Sequence, residues 1–308
     1  MFEIFGVPSN ALFSQLLIGL INGSFYALLS LGLAVIFGML NIINFTHGAQ
    51  YMMGAFMAFF LLQYGGLSYW WALIIAPVVV GVFGMIIERT MLQWLYKLDH
   101  LYGLLLTFGL ALIIEGVFRN YFGSSGLLYA MPDSLRGGHN LGFMFLPNYR
   151  AWVIFASLVV CLGTWFVIER TRLGAYLRAA TENPTLVRAF GINVPRMITL
   201  TYGFGVALAA LAGVMAAPIY NVSPQMGSDL IIVVFAVVVI GGMGSIMGAV
   251  VTGFGLGVIE GLTKVFFPEA SNTVIFVIMA IVLLIRPAGL FGRTALISAS
   301  RTGRRAGS

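Results

Sequence analysis

Charge is what this 308-residue chain has least of: 8% of its residues are Asp, Glu, Lys or Arg, where soluble domains carry about 25%. That is too little to cover a water-facing surface, and a soluble globular protein is excluded. Cysteine is almost absent. Cys161, the only one, rules out an internal disulfide and a multi-cysteine metal site, and within its apolar run it reads as a small buried hydrophobe. There is no GxxxxGK[ST] phosphate loop, so the chain cannot by itself be an ATPase. The apolar runs also lack a paired acid and base, a nucleophile with a partner, and a ligand cluster, so no catalytic residue and no metal site is assigned. Met1 to Leu20 carry Glu3 as their only charge, without the positive start of a removable signal peptide, so the first apolar stretch reads as retained.

What is present is apolar: 60% hydrophobic residues and a mean hydropathy of +1.00. Long apolar runs broken by short polar segments predict bundled transmembrane helices, because a lipid-exposed backbone must satisfy its own hydrogen bonds. The fold class is therefore all-α, a polytopic bundle forming one transmembrane domain over 1–308. At about 20 residues per crossing, spans fall near 12–37, 50–64, 69–87, 101–121, 150–168, 197–217, 229–248, 250–266 and 272–286. The second is short enough to be a half-helix, which leaves eight or nine spans with interrupted helices.

Basic residues set the orientation, since Lys and Arg near span ends collect in the cytoplasm. Arg89 and Lys97 form one group, Arg170, Arg172, Arg178, Arg188 and Arg196 a second, and Arg286, Arg293, Arg301, Arg304 and Arg305 a third. Span parity allows all three on one side, with Arg119, Arg136, Arg150 and Lys264 opposite. This predicts a cytoplasmic C-terminus with a disordered tail over about 294–308, and an external loop over 122–149. The net charge of +6 needs no nucleic-acid partner, because topology and membrane lipid headgroups account for it. Ile87-Glu88-Arg89-Thr90 recurs as Ile168-Glu169-Arg170-Thr171, each copy closing a span on the cytoplasmic side.

The longest polar segment on that side is ERTRLGAYLRAATENPTLVRAFGINVPRM, residues 169–197. Asn183 before Pro184 is an N-cap and first-turn pair, and Gly191 supplies the left-handed residue that ends a helix. A short helix over about 184–190 follows, with Leu186, Val187 and Phe190 giving it an apolar face. Such a helix fits a groove on a partner or lies on lipid.

Three stretches carry a family resemblance: GLINGSFYALLSLGLAVIFGMLNIINFTHGAQYMMGAF at 19–56, ATENPTLVRAFGINVPRMITLTYGFGVALAALAGVMAAP at 180–218, and SDLIIVVFAVVVIGGMGSIMGAVVTGFGLGVIEGL at 228–262. In colinear order over nearly the whole chain, they resemble a permease of the ABC importers for branched-chain amino acids. The resemblance implies a bacterial inner-membrane protein that forms half of a translocation pore with a second related permease subunit. It also implies two cytosolic ATPases, which bind the ATP and magnesium, and a periplasmic solute-binding protein; this chain itself holds no cofactor. The ATPase-coupling segment would be about 170–196, with Glu182, Asn183, Pro184 and Gly191 matching the family pattern. The better-known importer form of that loop begins Glu-Ala-Ala with a glycine four positions later. Here Arg178 stands in the glutamate position and Pro184 near the glycine position, so detailed contacts do not transfer from other importers.

Transporters bind near the midplane beside discontinuous helices, and two interruptions fit. NFTHG at 44–48 contributes Asn44, Thr46 and His47, with Gln50 just beyond; GGMGS at 241–245 contributes Gly241, Gly242, Gly244 and Ser245. They occupy comparable places in the two halves, whether the repeat is inverted or parallel. His47 reads either as a pore-lining side chain or as a hydrogen-bonded residue that fixes the break, and the glycines either as pore elements or as close-packing positions. Glu115 with Arg119 and Glu260 with Lys264 are i,i+4 pairs that make intramembrane charge tolerable. The rival function is an ATP-independent channel or ion-coupled transporter for a small polar solute such as urea or an amide, which would have no use for the 184–190 helix.

Overall fold

A computed structural model describes residues 3–4, 7–40, 43–96 and 98–292. Asn41, Lys97, Arg293, Arg301, Arg304 and Arg305 lie outside the described residues, as does the tail over 294–308. Eleven α-helices follow one another along the described chain: α1 Ser9–Leu40, α2 Thr46–Gln63, α3 Tyr69–Thr90, α4 His100–Phe122, α5 Asn148–Arg170, α6 Arg172–Glu182, α7 Pro184–Ala189, α8 Val194–Ala216, α9 Met226–Gly241, α10 Ile246–Phe266 and α11 Val274–Ile285. Among the described residues strand is confined to short pairs, including a hairpin of Gly138–Asn140 with Phe145–Pro147. The all-α polytopic reading holds.

Among the described residues six helices are long and apolar enough to cross a membrane: α1, α3, α4, α5, α8 and α10. The 18-residue α2, 16-residue α9 and 12-residue α11 are shorter apolar helices packed into the same bundle. Direction follows from contacts. The start of α1 lies under the hairpin, where the Ser14 hydroxyl meets the Phe143 carbonyl at 3.1 Å. The starts of α3 and α5 meet there too, with Tyr149 Oη donating to Tyr69 Oη at 2.9 Å. The opposite end carries α6 and α7. Arg89, Arg170, Arg172, Arg178, Arg188, Arg196 and Arg286 collect at the α6–α7 end, whereas Arg119, Arg136, Arg150 and Lys264 sit at the hairpin end.

The two halves repeat with opposite direction. α1 runs from the hairpin end and α8 from the α6–α7 end; α3 packs antiparallel on α8 as α10 packs antiparallel on α1; α4 lies beside α2 as α11 lies beside α9. The repeat is therefore inverted, α1–α4 against α8–α11. At its centre the first turns of α2 and α9 cross backbone to backbone: a Cβ on Gly48 would stand 2.6 Å from the Gly227 carbonyl, and one on Gly227 would stand 2.1 Å from that of Gly48. Only glycine at both positions permits that approach.

This arrangement corrects the pairing of the interruptions. Helix α1 ends at Leu40 and α2 begins at Thr46, so Thr46 and His47 already belong to the first turn of α2. The counterpart of the α1–α2 break is the 217–225 segment between α8 and α9. The 242–245 segment is instead the turn joining α9 to α10 at the α6–α7 end, equivalent to residues 64–68 between α2 and α3. The span placed over 229–248 runs across that turn, because valine and isoleucine persist up to Ile240 and apolar content alone marks no boundary there. The Glu88 and Glu169 echo also parts company: Glu88 is buried, while Glu169 is exposed beside Arg178 at 3.5 Å.

Candidate functional site

Polar side chains at the α1–α2 break face protein. Asn44, Thr46, His47 and Gln50 are all at most 1% exposed. Asn44 Nδ2 donates to Tyr202 Oη at 3.0 Å, Thr46 Oγ1 donates to Asn44 Oδ1, and Gln50 Nε2 lies 3.5 Å from the same Tyr202 oxygen. The Phe45 amide donates to Thr107 Oγ1 at 3.2 Å, and that hydroxyl is 3.1 Å from the Ile43 carbonyl. Backbone groups freed by the interruption thus meet α4, and the side chains around it meet α8, in place of lipid, as burial in a membrane requires. Thr107 is seven residues along α4, about 10 Å from its start, so the break lies within the bundle.

His47 crosses to α1, where its Nε2 is 3.0 Å from the Leu29 carbonyl. A carbonyl only accepts, so Nε2 carries the proton. The ring lies against Gly32, whose Cβ would stand 2.9 Å from His47 Cε1. His47 Nδ1 and Gln50 Oε1 have no hydrogen-bond partner among the described residues. In this conformation the four predicted residues gather around the break, and none lines the cavities described below. Tyr202, Thr107 and Gly32 complete the cluster. Sequence reading missed them because a lone tyrosine, threonine or glycine inside a span has no local pattern to mark it.

The 241–245 segment is a capped turn. Gly242 ends α9 at φ +102° and Gly244 has φ +80°, both left-handed, and Ser245 Oγ accepts the Gly248 amide at 3.1 Å to cap α10. The amides of Leu290 and Phe291 donate to the carbonyls of Ile240 at 2.8 Å and Gly241 at 3.0 Å. Gly244 and Ser245, with Glu169, Arg178 and Phe37, line a cavity of about 690 Å³ at the α6–α7 end. Gly241 and Gly242 are buried behind it. A second cavity, of about 280 Å³ at the hairpin-side half of the bundle, lies between α1, α2 and the start of α9.

The segment after α5 has the expected helix and one more. Asn183 Oδ1 accepts the Leu186 amide at 3.0 Å to start α7 at Pro184, and Gly191 follows it at φ +80°. Preceding it, α6 folds back on α5, where Arg178 donates to the Ile168 carbonyl at 2.8 Å. Val187, at 6% exposed, packs with Ala180 of α6 and Val194 of α8. Leu186 and Phe190 face outward, 55% and 78% exposed. The apolar residues of this short helix therefore divide: one anchors, two project. Glu182, at the end of α6, is exposed. Directly after this segment, Asn193 caps α8 through the Arg196 amide at 3.1 Å, so α7 and α8 are joined by a short, fixed link.

Residues 15–283 match the family model described as branched-chain amino acid transport system, permease component. The chain is 30% identical to the Escherichia coli K12 high-affinity branched-chain amino acid transport system permease protein LivH, over 91% of this chain and 95% of that one. It is 33% identical to the Pseudomonas aeruginosa counterpart BraD over the same shares. A more distant similarity, 26% over 59% of this chain and 57% of the relative, is to the ribose import permease protein RbsC of E. coli K12. No solved structure matches the chain.

Proposed function

This chain belongs to the branched-chain amino acid transport permease family, and from that premise we propose that it forms half of the membrane path of an ATP-driven importer for branched-chain or related amino acids. The whole chain acts as one permease domain in a bacterial inner membrane, beside a second related permease. The α6–α7 end, with its concentration of arginine, faces the cytoplasm and carries the C-terminus. Two cytosolic ATPases bind ATP and magnesium there, and a periplasmic binding protein delivers substrate to the hairpin end.

The observation that carries this reading is the division of α7. Val187 fixes the helix to α6 and α8 while Leu186 and Phe190 project from the arginine-rich end. Two projecting apolar side chains on a capped, anchored helix are the form in which a helix docks into a partner groove. Glu182, Asn183, Pro184 and Gly191 set its ends. ATPase closure displaces α7, α8 moves with it, and the bundle exchanges an outward-open for an inward-open arrangement. The cluster of Asn44, Thr46, His47 and Gln50 holds the break on which that exchange turns, and the Gly241, Gly242, Gly244 and Ser245 turn forms part of the cytoplasmic mouth.

The test is copurification of the ATPase with Phe190→Ala and Leu186→Ala permeases, alongside uptake in proteoliposomes containing the full complex. Loss of both association and uptake is expected; uptake by the chain alone without ATP would contradict the proposal.

A further inference from the structure

Among the described acids in or beside the spans of the hairpin-side half, Glu269 and Asp229 have no counter-charge, and of these two Asp229 lines a cavity. Glu115 pairs with Arg119, and Glu260 pairs with Lys264 and accepts the Tyr26 hydroxyl at 2.7 Å. Asp229, in the first turn of α9, has no cation within 4 Å among the described residues. It lies instead on the wall of the 280 Å³ cavity. Asp229 is exposed, so its carboxylate is open to an incoming cation.

The rest of the lining has a matching chemistry. Tyr51 of α2 lines the cavity, is 1% exposed, and makes no hydrogen bond through its hydroxyl among the described residues. Asn22 of α1 accepts the Tyr220 hydroxyl at 3.2 Å through Oδ1, and its amide N–H groups have no partner among the described residues. Between these polar groups stand Phe25, Met226 and Leu230. An acceptor of full negative charge, hydroxyl and amide donors, and an aliphatic and aromatic wall come from three different helices. The volume is close to the lower bound of about 300 Å³ for small-ligand pockets.

We propose that this cavity is a reception site for a zwitterionic amino acid with an aliphatic side chain: Asp229 takes the ammonium group, Asn22 and Tyr51 donate to the carboxylate, and Phe25, Met226 and Leu230 hold the side chain. The inference rests on the importer reading and adds to it a binding site within the permease itself. The site joins the α1–α2 and α8–α9 halves close to the Gly48–Gly227 crossing, so an occupant touches both repeats.

The test is equilibrium binding of radiolabelled L-leucine to the full complex in nanodiscs without the binding protein, with isocaproate as competitor. Isocaproate keeps the side chain and carboxylate of leucine and lacks the ammonium group. Saturable binding that isocaproate fails to displace is expected, weakened about tenfold or more by Asp229→Asn, as loss of a charge-assisted contact implies. Asp229→Glu should restore part of the affinity, and Tyr51→Phe should weaken binding by a smaller factor. Assembly of each variant is read from ATPase copurification; should Asp229→Asn fail to assemble, Tyr51→Phe and Asp229→Glu carry the comparison. Absence of binding to the wild-type complex, equal displacement by isocaproate, or wild-type affinity in the assembled variants overturns the site. Leucine import by the wild-type complex with its binding protein is measured alongside. Import without this binding pattern overturns the site alone, and absence of import overturns the importer reading as well.

Discussion

The hydroxyl of Tyr202 on α8 accepts the side-chain amide of Asn44 at 3.0 Å, tying the helix that leaves the α7 segment to the break between α1 and α2. One turn earlier on α8, Thr199 Oγ1 donates to the buried Glu88 carboxylate of α3 at 2.6 Å, and Tyr96 Oη donates to its other oxygen at 2.5 Å. The first half of α8 thus grips two neighbours through side-chain hydrogen bonds, and a displacement at α7 has a short path to the centre of the bundle.

Replacing Tyr202 by Phe removes one oxygen and leaves the Asn44 amide buried without its partner. The cost is about 1–3 kcal/mol for an unsatisfied buried donor, read as a lower midpoint in denaturant unfolding of the purified permease. If the bond also transmits motion, ATP hydrolysis by the assembled complex persists while uptake falls more than stability does. Unchanged stability and uptake would remove Tyr202 from this role.

Glycine substitutions separate close packing from open surface. Gly48→Ala puts a methyl 2.6 Å from the Gly227 carbonyl, whereas nothing lies within 4 Å of a Cβ on Gly109 of α4. Overpacking costs about 1–3 kcal/mol, and relieving a mid-helix glycine gains about 0.5–1 kcal/mol. Gly48→Ala should therefore lower the yield of folded permease and its thermal midpoint, and Gly109→Ala should hold or raise both.

How much of this was legible beforehand differs between elements. The α7 helix could be read because its signals are local: Asn183 and Pro184 start it and Gly191 ends it, within a few residues of one another. The charge asymmetry likewise survives any folding of the loops. The break ahead of Thr46 was legible as polar residues between apolar runs, but its partners were not, since Tyr202 and Thr107 are distant in sequence and only the packing of α8 and α4 brings them to it. The repeat itself left the wrong trace: glycine-rich 241–245 resembles a helix break more than 217–225 does, yet the latter is the counterpart of the α1–α2 break. The α6 helix escaped notice because its arginines and threonines look like loop, and it is held by the Arg178 contact to Ile168.

Within the α7 segment the three apolar residues should fail differently. Val187→Ala opens a gap against Ala180 and Val194, so local stability falls, and protection from proteolysis across 172–193 falls with it. Phe190→Ala changes an exposed side chain and should leave proteolytic protection intact while ATPase association is lost. Parallel behaviour of the two variants in both assays would contradict the division into anchor and docking residues.

Removing the cap at Asn183 tests whether the short helix needs it. Asn183→Ala frees the Leu186 amide, a change of about 1 kcal/mol, and for a helix of six residues that is enough to fray it. Hydrogen exchange across 184–190 should accelerate several-fold, and Asn183→Asp should restore slow exchange.

The most direct measurement is uptake of radiolabelled L-leucine into proteoliposomes holding this chain, its second permease and the ATPases, with the binding protein supplied outside and ATP within. Accumulation that requires ATP and disappears when the ATPases are omitted or when Leu186 and Phe190 are both replaced by Ala is the expected result. Equal uptake by this chain alone, with no ATP and no partner, would contradict the importer account.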